Sequence, residues 1–210
     1  MTTKEAENIY NKLSTTHPQA ECELSYHTPF QLLVAVVLSA QCTDARVNKV
    51  TEKMFKELDT PEKYARLTEE ELIPYIKSCG FFNNKAKNII AMSREIVAKY
   101  GGEVPRDFDT LTTLPGVGRK TASVVIAVAF GIPSVPVDTH VYRVAHRLGI
   151  SDGKTPFDVE KDIKKTFPSA SWNSLHHYMI FHGRYVCHSR RPDCENCTLR
   201  ENCKYYKEER

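Results

Sequence analysis

The chain has 210 residues, 41% of them hydrophobic, and is long enough to bury one large core or two small ones. Its net charge of +3 is compatible with a nucleic-acid partner but does not by itself indicate one. The longest apolar stretch, residues 122–132, is much shorter than the roughly 20 residues that a membrane-spanning helix needs. The first residues have the charge pattern of an amphipathic helix and lack the apolar core of a secretory signal. We therefore expect a cytoplasmic protein with no membrane partner.

Helical periodicity extends over most of the chain. Apolar residues recur at steps of three and four, and neither a strand pair nor an internal repeat is evident. Asp44 precedes the third segment and Thr60 precedes a short fourth one, as residues at helix starts do. Gly131 and Gly149 follow two later segments, as helix-ending glycines do. The sequence predicts an all-α fold of about ten helices. The main segments are EAENIYNKLS, PFQLLVAVVLSA, ARVNKVTEKMFKEL, TEEELIPYIKS, NKAKNIIAMSREIVAKY, RKTASVVIAVAF, THVYRVAHRL, DVEKDIKKTF and SWNSLHHYMIFHGRYV.

Four of the seven cysteines lie close together near the end of the sequence. Cys187, Cys194, Cys197 and Cys203 have the spacing C-x6-C-x2-C-x5-C. Disulfides are uncommon in cytoplasmic proteins, so this pattern indicates thiolates around one tetrahedral metal ion or one iron–sulfur cluster. The spacing alone fits zinc and a 4Fe–4S cluster equally well, and an incidental group of thiols is the weaker alternative. Ordinary buried or half-buried thiols are expected for Cys22, Cys42 and Cys79.

Residues 111–122, LTTLPGVGRKTA, predict a short helix, a tight turn and a strongly apolar second helix. Gly116 and Gly118 allow positive φ angles and a close approach of the backbone amides to a partner. A helix N-terminus favours anions, yet Arg119 and Lys120 place two cations there, each disfavoured by about 0.3–1 kcal/mol. A phosphate backbone bound by the amides of the turn would compensate. The alternative is a structural corner between two helices with cations on its surface.

Asp138 immediately precedes the predicted helix THVYRVAHRL. The simpler interpretation is a helix N-cap, which needs no catalytic role. The alternative is that Asp138 and Lys120, both at helix starts, converge on one site as base and nucleophile.

Three motifs in order, LPGVGRKTA, VDTHVYRV and the cysteine spacing, resemble the endonuclease III family. These are DNA glycosylases of the helix-hairpin-helix superfamily that carry an iron–sulfur cluster. The likeness continues through HTPFQLLVAVVLSAQCTD and GFFNNKAKNI and so covers nearly the whole chain. The resemblance implies two helical domains with a DNA-binding cleft between them. A six-helix domain would span residues 22–132, with the helix-hairpin-helix at about 108–127, and residues 1–21 with 133–210 would form the cluster domain.

The resemblance also implies roles for individual residues. Lys120 matches the family's nucleophile and Asp138 its catalytic aspartate. The four clustered cysteines would bind a 4Fe–4S cluster, which favours iron over zinc. Gln41 matches a glutamine that enters the space left by a flipped base, and Phe81 matches a wedge position that more often holds leucine. We add Arg190 and Arg191, because a cluster would hold this basic loop against phosphates. Further expected DNA contacts are Gly116, Val117, Gly118 and Arg119.

The chemistry implied by the resemblance is base excision repair of double-stranded DNA that contains damaged pyrimidines or abasic sites. A monomeric enzyme would flip the damaged nucleotide out of the duplex, release an oxidised pyrimidine and cleave the strand by β-elimination. Lys120 would form a Schiff base with the sugar, and Asp138 would either accept a proton or stabilise the developing sugar cation.

Two other functions share parts of this pattern. A monofunctional mismatch glycosylase has the hairpin, the aspartate and often the cluster, but usually lacks a lysine at the position of Lys120. A non-catalytic DNA-binding module would use the hairpin to bind the backbone and zinc to hold the cysteines. Strand cleavage at an abasic site distinguishes the bifunctional enzyme from the module.

Overall fold

The computed structural model describes residues 1–208, and all the regular secondary structure in this range is helical. No residue in the range belongs to a β-strand, which confirms the predicted all-α class. The chain forms two compact units. One consists of Met1–Cys22 together with the chain from Ile132 onward, and the other is Glu23–Gly131. Among the described residues, no helix has both the length and the apolar character needed to cross a membrane.

Twelve α-helices and two short 3₁₀ turns, at Ser169–Ser171 and Arg200–Asn202, account for this secondary structure in residues 1–208. The first helix has the amphipathic character expected from the sequence. In chain order the α-helices are α1 (Thr3–Thr16), α2 (Pro29–Ser39), α3 (Asp44–Glu57), α4 (Pro61–Ala65), α5 (Glu69–Ile76), α6 (Phe82–Tyr100), α7 (Phe108–Thr113), α8 (Arg119–Phe130), α9 (Thr139–Leu148), α10 (Pro156–Thr166), α11 (Trp172–Tyr185) and α12 (Lys204–Glu208).

The sequence located most of these helices but misplaced one start signal and missed one helix. Asp44 is the first residue of α3, and the N-cap is Thr43, whose hydroxyl accepts a hydrogen bond from the Arg46 amide at 3.3 Å. A threonine hydroxyl can accept from this amide in the same way as an aspartate carboxylate, so either residue type can begin a helix. Helix α12 was not predicted, because five residues are too few to show helical periodicity.

The unit Glu23–Gly131 contains seven α-helices, α2–α8, one more than the six expected for this part of the chain, and it is built around α2. This helix carries a continuous apolar run, and Leu32, Leu33, Val34 and Leu38 are completely buried. Helices α3, α6 and α8 pack against it, while α4 and α5 pack on α6. A helix that is apolar on all sides is stable only when neighbours surround it, so α2 fixes the positions of the helices that carry the site residues of this unit.

The other unit has its own apolar core. Helix α11 packs against α1 and α9, and α10 and α12 also contact α9. A Cβ atom on Gly183 in α11 would lie 2.8 Å from His140 Cβ in α9, so only glycine permits this close approach of two helices. The core side chains include Ile9, Leu13, Val135, Val141, Val144, Leu148, Ile163, Leu175 and Met179.

Candidate functional site

The hairpin between α7 and α8 is anchored by buried side chains of its own turn. Leu114 and Val117 are buried, and the Val117 amide donates to the Leu114 carbonyl at 3.0 Å to close the turn. Gly116 has a φ of +76°, and a Cβ on it would lie 2.7 Å from Asn88 Cβ in α6. Both the backbone conformation and the neighbouring helix therefore require glycine at position 116. The turn between the two helices is a fixed part of this unit.

Gly118 differs from Gly116, which corrects the expectation that both glycines adopt positive φ angles. Gly118 is the N-cap of α8 with an extended backbone, φ −84° and ψ 173°. A Cβ on Gly118 would meet no atom within 4 Å. No side chain caps this helix start, so the first-turn amides remain available to an anion. The fold does not require glycine here, whereas the close approach of a partner's backbone would.

Arg119 and Lys120 occupy the first turn of α8 and are both exposed. The Arg119 guanidinium lies over the Phe108 ring, 5.0 Å from its centroid, which holds this cation beside the hairpin. Within residues 1–208, no hydrogen bond or ion pair engages the Lys120 amine. The amine is therefore accessible to a substrate.

Asp138 caps α9, as the simpler interpretation of the sequence expected. Its Oδ1 atom accepts from the His140 and Val141 amides at 2.9 and 2.8 Å. Val135 and Val137, which precede it, are buried and fix the approach to the helix. The hydrogen bonds of the described residues use only one carboxylate oxygen, so the half-buried side chain retains an acceptor for a second task. Capping and a role at a substrate are therefore compatible.

Gln41 and Phe81 are both exposed, and both have left-handed backbones, with φ values of 54° and 58°. Their segments are neighbours, since a Cβ on Gly80 would lie 3.9 Å from the Gln41 carbonyl oxygen. Phe81 is 65% exposed and is the N-cap of α6. A left-handed conformation costs a residue other than glycine about 1–2 kcal/mol, and such strain is concentrated at functional sites.

Arg191 is the third non-glycine residue with a positive φ in the described chain. It lies beside Arg190 in an exposed loop, which is closed at its base by the Asp193 amide donating to the Val186 carbonyl at 3.0 Å. All three residues with a left-handed backbone belong to the set that the sequence predicts to contact DNA. The structure thus presents two arginines on a short and constrained loop.

The four clustered cysteines line one pocket together with apolar side chains such as Val144, Leu148 and Pro192. Burial raises the pKa of the Cys197 and Cys203 thiols, and the nearby thiols of Cys187 and Cys194 add to the effect. Four thiolates in such a place need a compensating positive charge, which fits a bound metal group. No three His, Cys, Asp or Glu side chains within residues 1–208 form a group that could hold a single metal ion. The donor set fits a thiolate-bound group held by Cys187, Cys194, Cys197 and Cys203.

Two functional candidates were not singled out from the sequence. Arg147 in α9 donates to Cys187 Sγ at 3.3 Å and to the His188 carbonyl at 2.6 Å, and so ties the cysteine loop to the core. Lys85 in α6 is a buried lysine, only 6% exposed. The spacing of Lys85 from Ile89 and Met92 places it on the apolar face of α6, a signal that could have identified it. The three other cysteines agree with the sequence prediction: Cys79 is buried, and Cys22 and Cys42 are half-buried.

Comparison with known proteins connects these features to a family. A model of the HhH-GPD superfamily base excision DNA repair proteins matches residues 34–169. Endonuclease III of Bacillus subtilis is 50% identical over 202 residues, which cover 96% of this chain and 92% of the relative. Endonuclease III of Rickettsia conorii is 49% identical over 198 residues, covering 94% of both chains. The chain belongs to the endonuclease III family.

A solved structure of the endonuclease III family has the same fold over nearly the whole length. It is a trapped endonuclease III–DNA covalent intermediate, an estranged-adenine complex, with 47% sequence identity and a TM-score of 0.94. The match covers 99% of this chain and 98% of the solved one. As a member of the endonuclease III family, the chain is an enzyme of base excision DNA repair, a DNA glycosylase and abasic-site lyase.

Proposed function

We propose that the chain removes oxidised pyrimidines from duplex DNA and cleaves the strand at the abasic site with Lys120 as nucleophile. The observation that carries this proposal is the exposed Lys120 amine in the first turn of α8, beside backbone amides that no side chain caps. These amides would bind a phosphate and bring the amine to the sugar. The solved relative trapped covalently on DNA supports a covalent step.

The reaction begins with extrusion of the damaged nucleotide, which a lesion makes easier because it weakens pairing and stacking. Neutral Lys120 attacks C1′ of the deoxyribose, the glycosidic C–N bond breaks, and the base leaves with the bonding electrons and takes up a proton. Opening of the sugar ring gives an imine between Lys120 and C1′. Loss of a C2′ proton then expels the 3′ phosphate, and hydrolysis of the imine restores the lysine.

Asp138 would assist from the carboxylate oxygen that does not cap α9. It either accepts the proton that Lys120 gives up on attack or stabilises positive charge on the sugar as the base departs. Both tasks need a carboxylate whose position is fixed before the substrate binds. The two amide hydrogen bonds to Oδ1 provide that fixation.

The DNA contacts follow from the exposed groups of the site. The backbones of Gly116, Val117 and Gly118, with Arg119, would bind phosphate on one side of the lesion. Gln41 and Phe81 would enter the base stack, where they fill the space of the flipped nucleotide and separate its neighbours. Arg190 and Arg191 would bind further phosphates.

We also propose that the four cysteines hold a 4Fe–4S cluster. When bound, the cluster supplies four bonds that cross-link the cysteine segment. The cysteine segment has little apolar support of its own, since only Leu199 among residues 187–203 is a buried hydrophobic residue. The broad visible absorbance of an iron–sulfur cluster distinguishes this cofactor from zinc.

The remaining expectations extend this proposal. We propose that residues 22–132 form a helix-hairpin-helix domain and that residues 1–21 with 133–210 form the cluster domain. The enzyme would act as a monomer in the cytoplasm at the nucleoid.

The decisive experiment is borohydride trapping on duplexes that contain thymine glycol or an abasic site. The unaltered enzyme should release the base, cleave the strand and become covalently attached to DNA when borohydride reduces the imine. Lys120→Ala should abolish attachment and strand cleavage, whereas Lys99→Ala, which removes an exposed lysine from the far end of α6, should retain both. Trapping retained by Lys120→Ala would show that another amine is the nucleophile.

A further inference from the structure

Lys85 is a buried cation that the proposed chemistry does not use. Its side chain lies in the first turns of α6 and is only 6% exposed. The ammonium donates to the Leu38 carbonyl at 2.8 Å and to the Ala40 carbonyl at 2.7 Å. Within the described residues it has no carboxylate partner, and burial lowers its pKa. A buried ammonium without a carboxylate partner is unfavourable, and the hydrogen bonds to these two carbonyls offset part of that cost.

The two carbonyls belong to the end of α2, where the backbone turns toward Gln41. The final carbonyls of a helix have no partners inside the helix and carry partial negative charge. Here the Ser39 carbonyl accepts from the Cys42 amide at 3.0 Å, and Lys85 satisfies the carbonyls of Leu38 and Ala40 on either side of it. The residue directly after Ala40 is the left-handed Gln41. Lys85 therefore fixes the carbonyl group of Ala40, the residue directly before Gln41.

The same residue also fixes Phe81. The backbone amide of Lys85 donates to the Phe81 carbonyl at 3.1 Å, the first hydrogen bond of α6. Phe81 occupies the N-cap in a left-handed conformation and has no capping side-chain hydrogen bond. One residue thus binds the backbone beside Gln41 through its side chain and the backbone of Phe81 through its amide. These two residues are the ones that hold exposed side chains in strained conformations at neighbouring points of the surface.

We infer that Lys85 is a positioning residue, which locks the segments of Gln41 and Phe81 together so that both side chains are presented before DNA binds. The inference rests on the proposed insertion of these two side chains into the base stack. Lys85 itself touches neither the sugar nor the base. It acts by preventing the two strained segments from relaxing to ordinary backbone conformations, which would move both side chains away from the place where they act.

The test compares two substrates that differ in their need for insertion. One is a duplex in which an abasic site lies opposite adenine, and the other is a single strand of the same sequence with an abasic site, which has no base stack to open; neither requires release of a base. Lys85→Met keeps the apolar stem but removes both donated hydrogen bonds. We expect it to lower kcat/KM on the duplex by roughly 10- to 100-fold and to leave the single-strand value within about twofold. Lys99→Met is the matched control on α6 and should change neither value.

The ratio of the two values separates positioning from general damage to the fold. If Lys85→Met lowers activity on both substrates by the same factor, the inference is wrong, because Lys85 then affects only the fraction of the enzyme that is folded and active. Lys85→Gln extends the test to a variant that folds more readily, since its shorter amide retains a donor. We expect Lys85→Gln to be more active on the duplex than Lys85→Met, because it retains a donor, and a folded Lys85→Gln enzyme that is less active on the duplex than Lys85→Met would overturn the inference.

A double-mutant cycle identifies the residues through which Lys85 acts. In an enzyme that already carries Gln41→Ala and Phe81→Ala, Lys85→Met should lower duplex activity by no more than about twofold, because nothing remains to position. An undiminished effect in that background would show that Lys85 acts elsewhere. If Gln41→Ala with Phe81→Ala leaves duplex activity unchanged, the insertion itself is refuted. Failure of the unaltered enzyme to cleave either substrate would instead refute the proposed function.

Discussion

Asp138 shows how one residue can serve the fold and the chemistry at the same time. Its Oδ1 atom satisfies two amides at the start of α9, while no hydrogen bond among the described residues uses the other oxygen. The capping role needs only a side-chain oxygen in the right place, whereas the proposed catalytic role needs negative charge. Asparagine keeps the oxygen and removes the charge, so the two roles can be separated by substitution.

We expect Asp138→Asn to change the free energy of unfolding by less than about 0.5 kcal/mol, because asparagine caps a helix as well as aspartate does. Asp138→Ala should lower it by about 1 kcal/mol through loss of the cap. Both variants should reduce strand cleavage by about 10²- to 10⁴-fold. Urea unfolding and single-turnover cleavage measure the two effects. Full cleavage activity in Asp138→Asn would show that Asp138 caps the helix and has no catalytic role.

The hairpin between α7 and α8 contains two glycines that are needed for different reasons. Gly116 has a left-handed backbone and lies against Asn88, so the folded chain itself requires it. Gly118 has an extended backbone and open space around it, so the free protein would accept a side chain there. Substitution at the two positions should therefore separate effects on stability from effects on DNA binding.

Gly116→Ala should lower the free energy of unfolding by about 1–3 kcal/mol, because alanine must adopt a positive φ and displace Asn88. Gly118→Ser should leave stability within a few tenths of a kcal/mol, since serine is a good N-cap. Its hydroxyl would nevertheless occupy a first-turn amide that we assign to phosphate, and we expect DNA affinity to fall about 10-fold. Thermal unfolding and DNA titration measure these changes. Unaltered affinity in Gly118→Ser would exclude the turn amides as the phosphate site.

Helices were predictable from the sequence, whereas the backbone conformations of the site were not. Apolar periodicity locates α1, α6 and α9 because each helix buries one face, and this signal is local. The left-handed conformations of Gln41, Phe81 and Arg191 depend on tertiary contacts, and residue type gives no sign of them. The motifs predict which residues belong to the site. The structure adds which of them have a strained backbone, which cap a helix and which are held by a neighbouring residue.

At the scale of the molecule, the cysteine segment depends on contacts other than its own apolar burial. Leu199 is its buried hydrophobic residue, and Arg147 joins Cys187 and His188 to α9. Helix α12 also contacts α9, and the Arg147 guanidinium lies over the Tyr205 ring, 4.7 Å from its centroid. Apolar burial therefore contributes little to holding the segment in place, and the segment depends on polar contacts, such as those of Arg143 and Arg147, and on the proposed cluster.

We expect Cys194→Ser to lose visible absorbance and to open the segment around residues 187–203 to trypsin, while α2 and its neighbours stay folded. The bond after the exposed Arg190 is the expected cleavage site, because trypsin does not cleave the bond between Arg191 and Pro192. Limited proteolysis followed by mass spectrometry measures the order of cleavage. Equal protection in Cys194→Ser and the unaltered enzyme would show that the segment is held without the cluster. Cys22→Ser is the control, since Cys22 lies outside the segment.

Phosphate binding by the loop should appear in the response to salt. Each bound phosphate contributes about 0.9 to the slope of log affinity against log salt. We expect Arg190→Ala with Arg191→Ala to weaken DNA binding and to reduce this slope by about 0.9 for each phosphate that the variant no longer binds. Lys53→Ala with Lys56→Ala removes the same charge from the exposed surface of α3 and should leave the slope unchanged. An unaltered slope in the arginine variant would show that this loop does not bind DNA phosphates.

The left-handed conformations at positions 41, 81 and 191 also bear on how such an enzyme would respond to selection for heat resistance. Glycine at any of these positions would relieve about 1–2 kcal/mol of backbone strain, although it would also enlarge the freedom of the unfolded chain. A screen that rewards only survival at high temperature would therefore tend to erase side chains that we assign to binding and opening the duplex. Variants with higher thermal stability would then have lower repair activity, and both changes would result from the same substitutions.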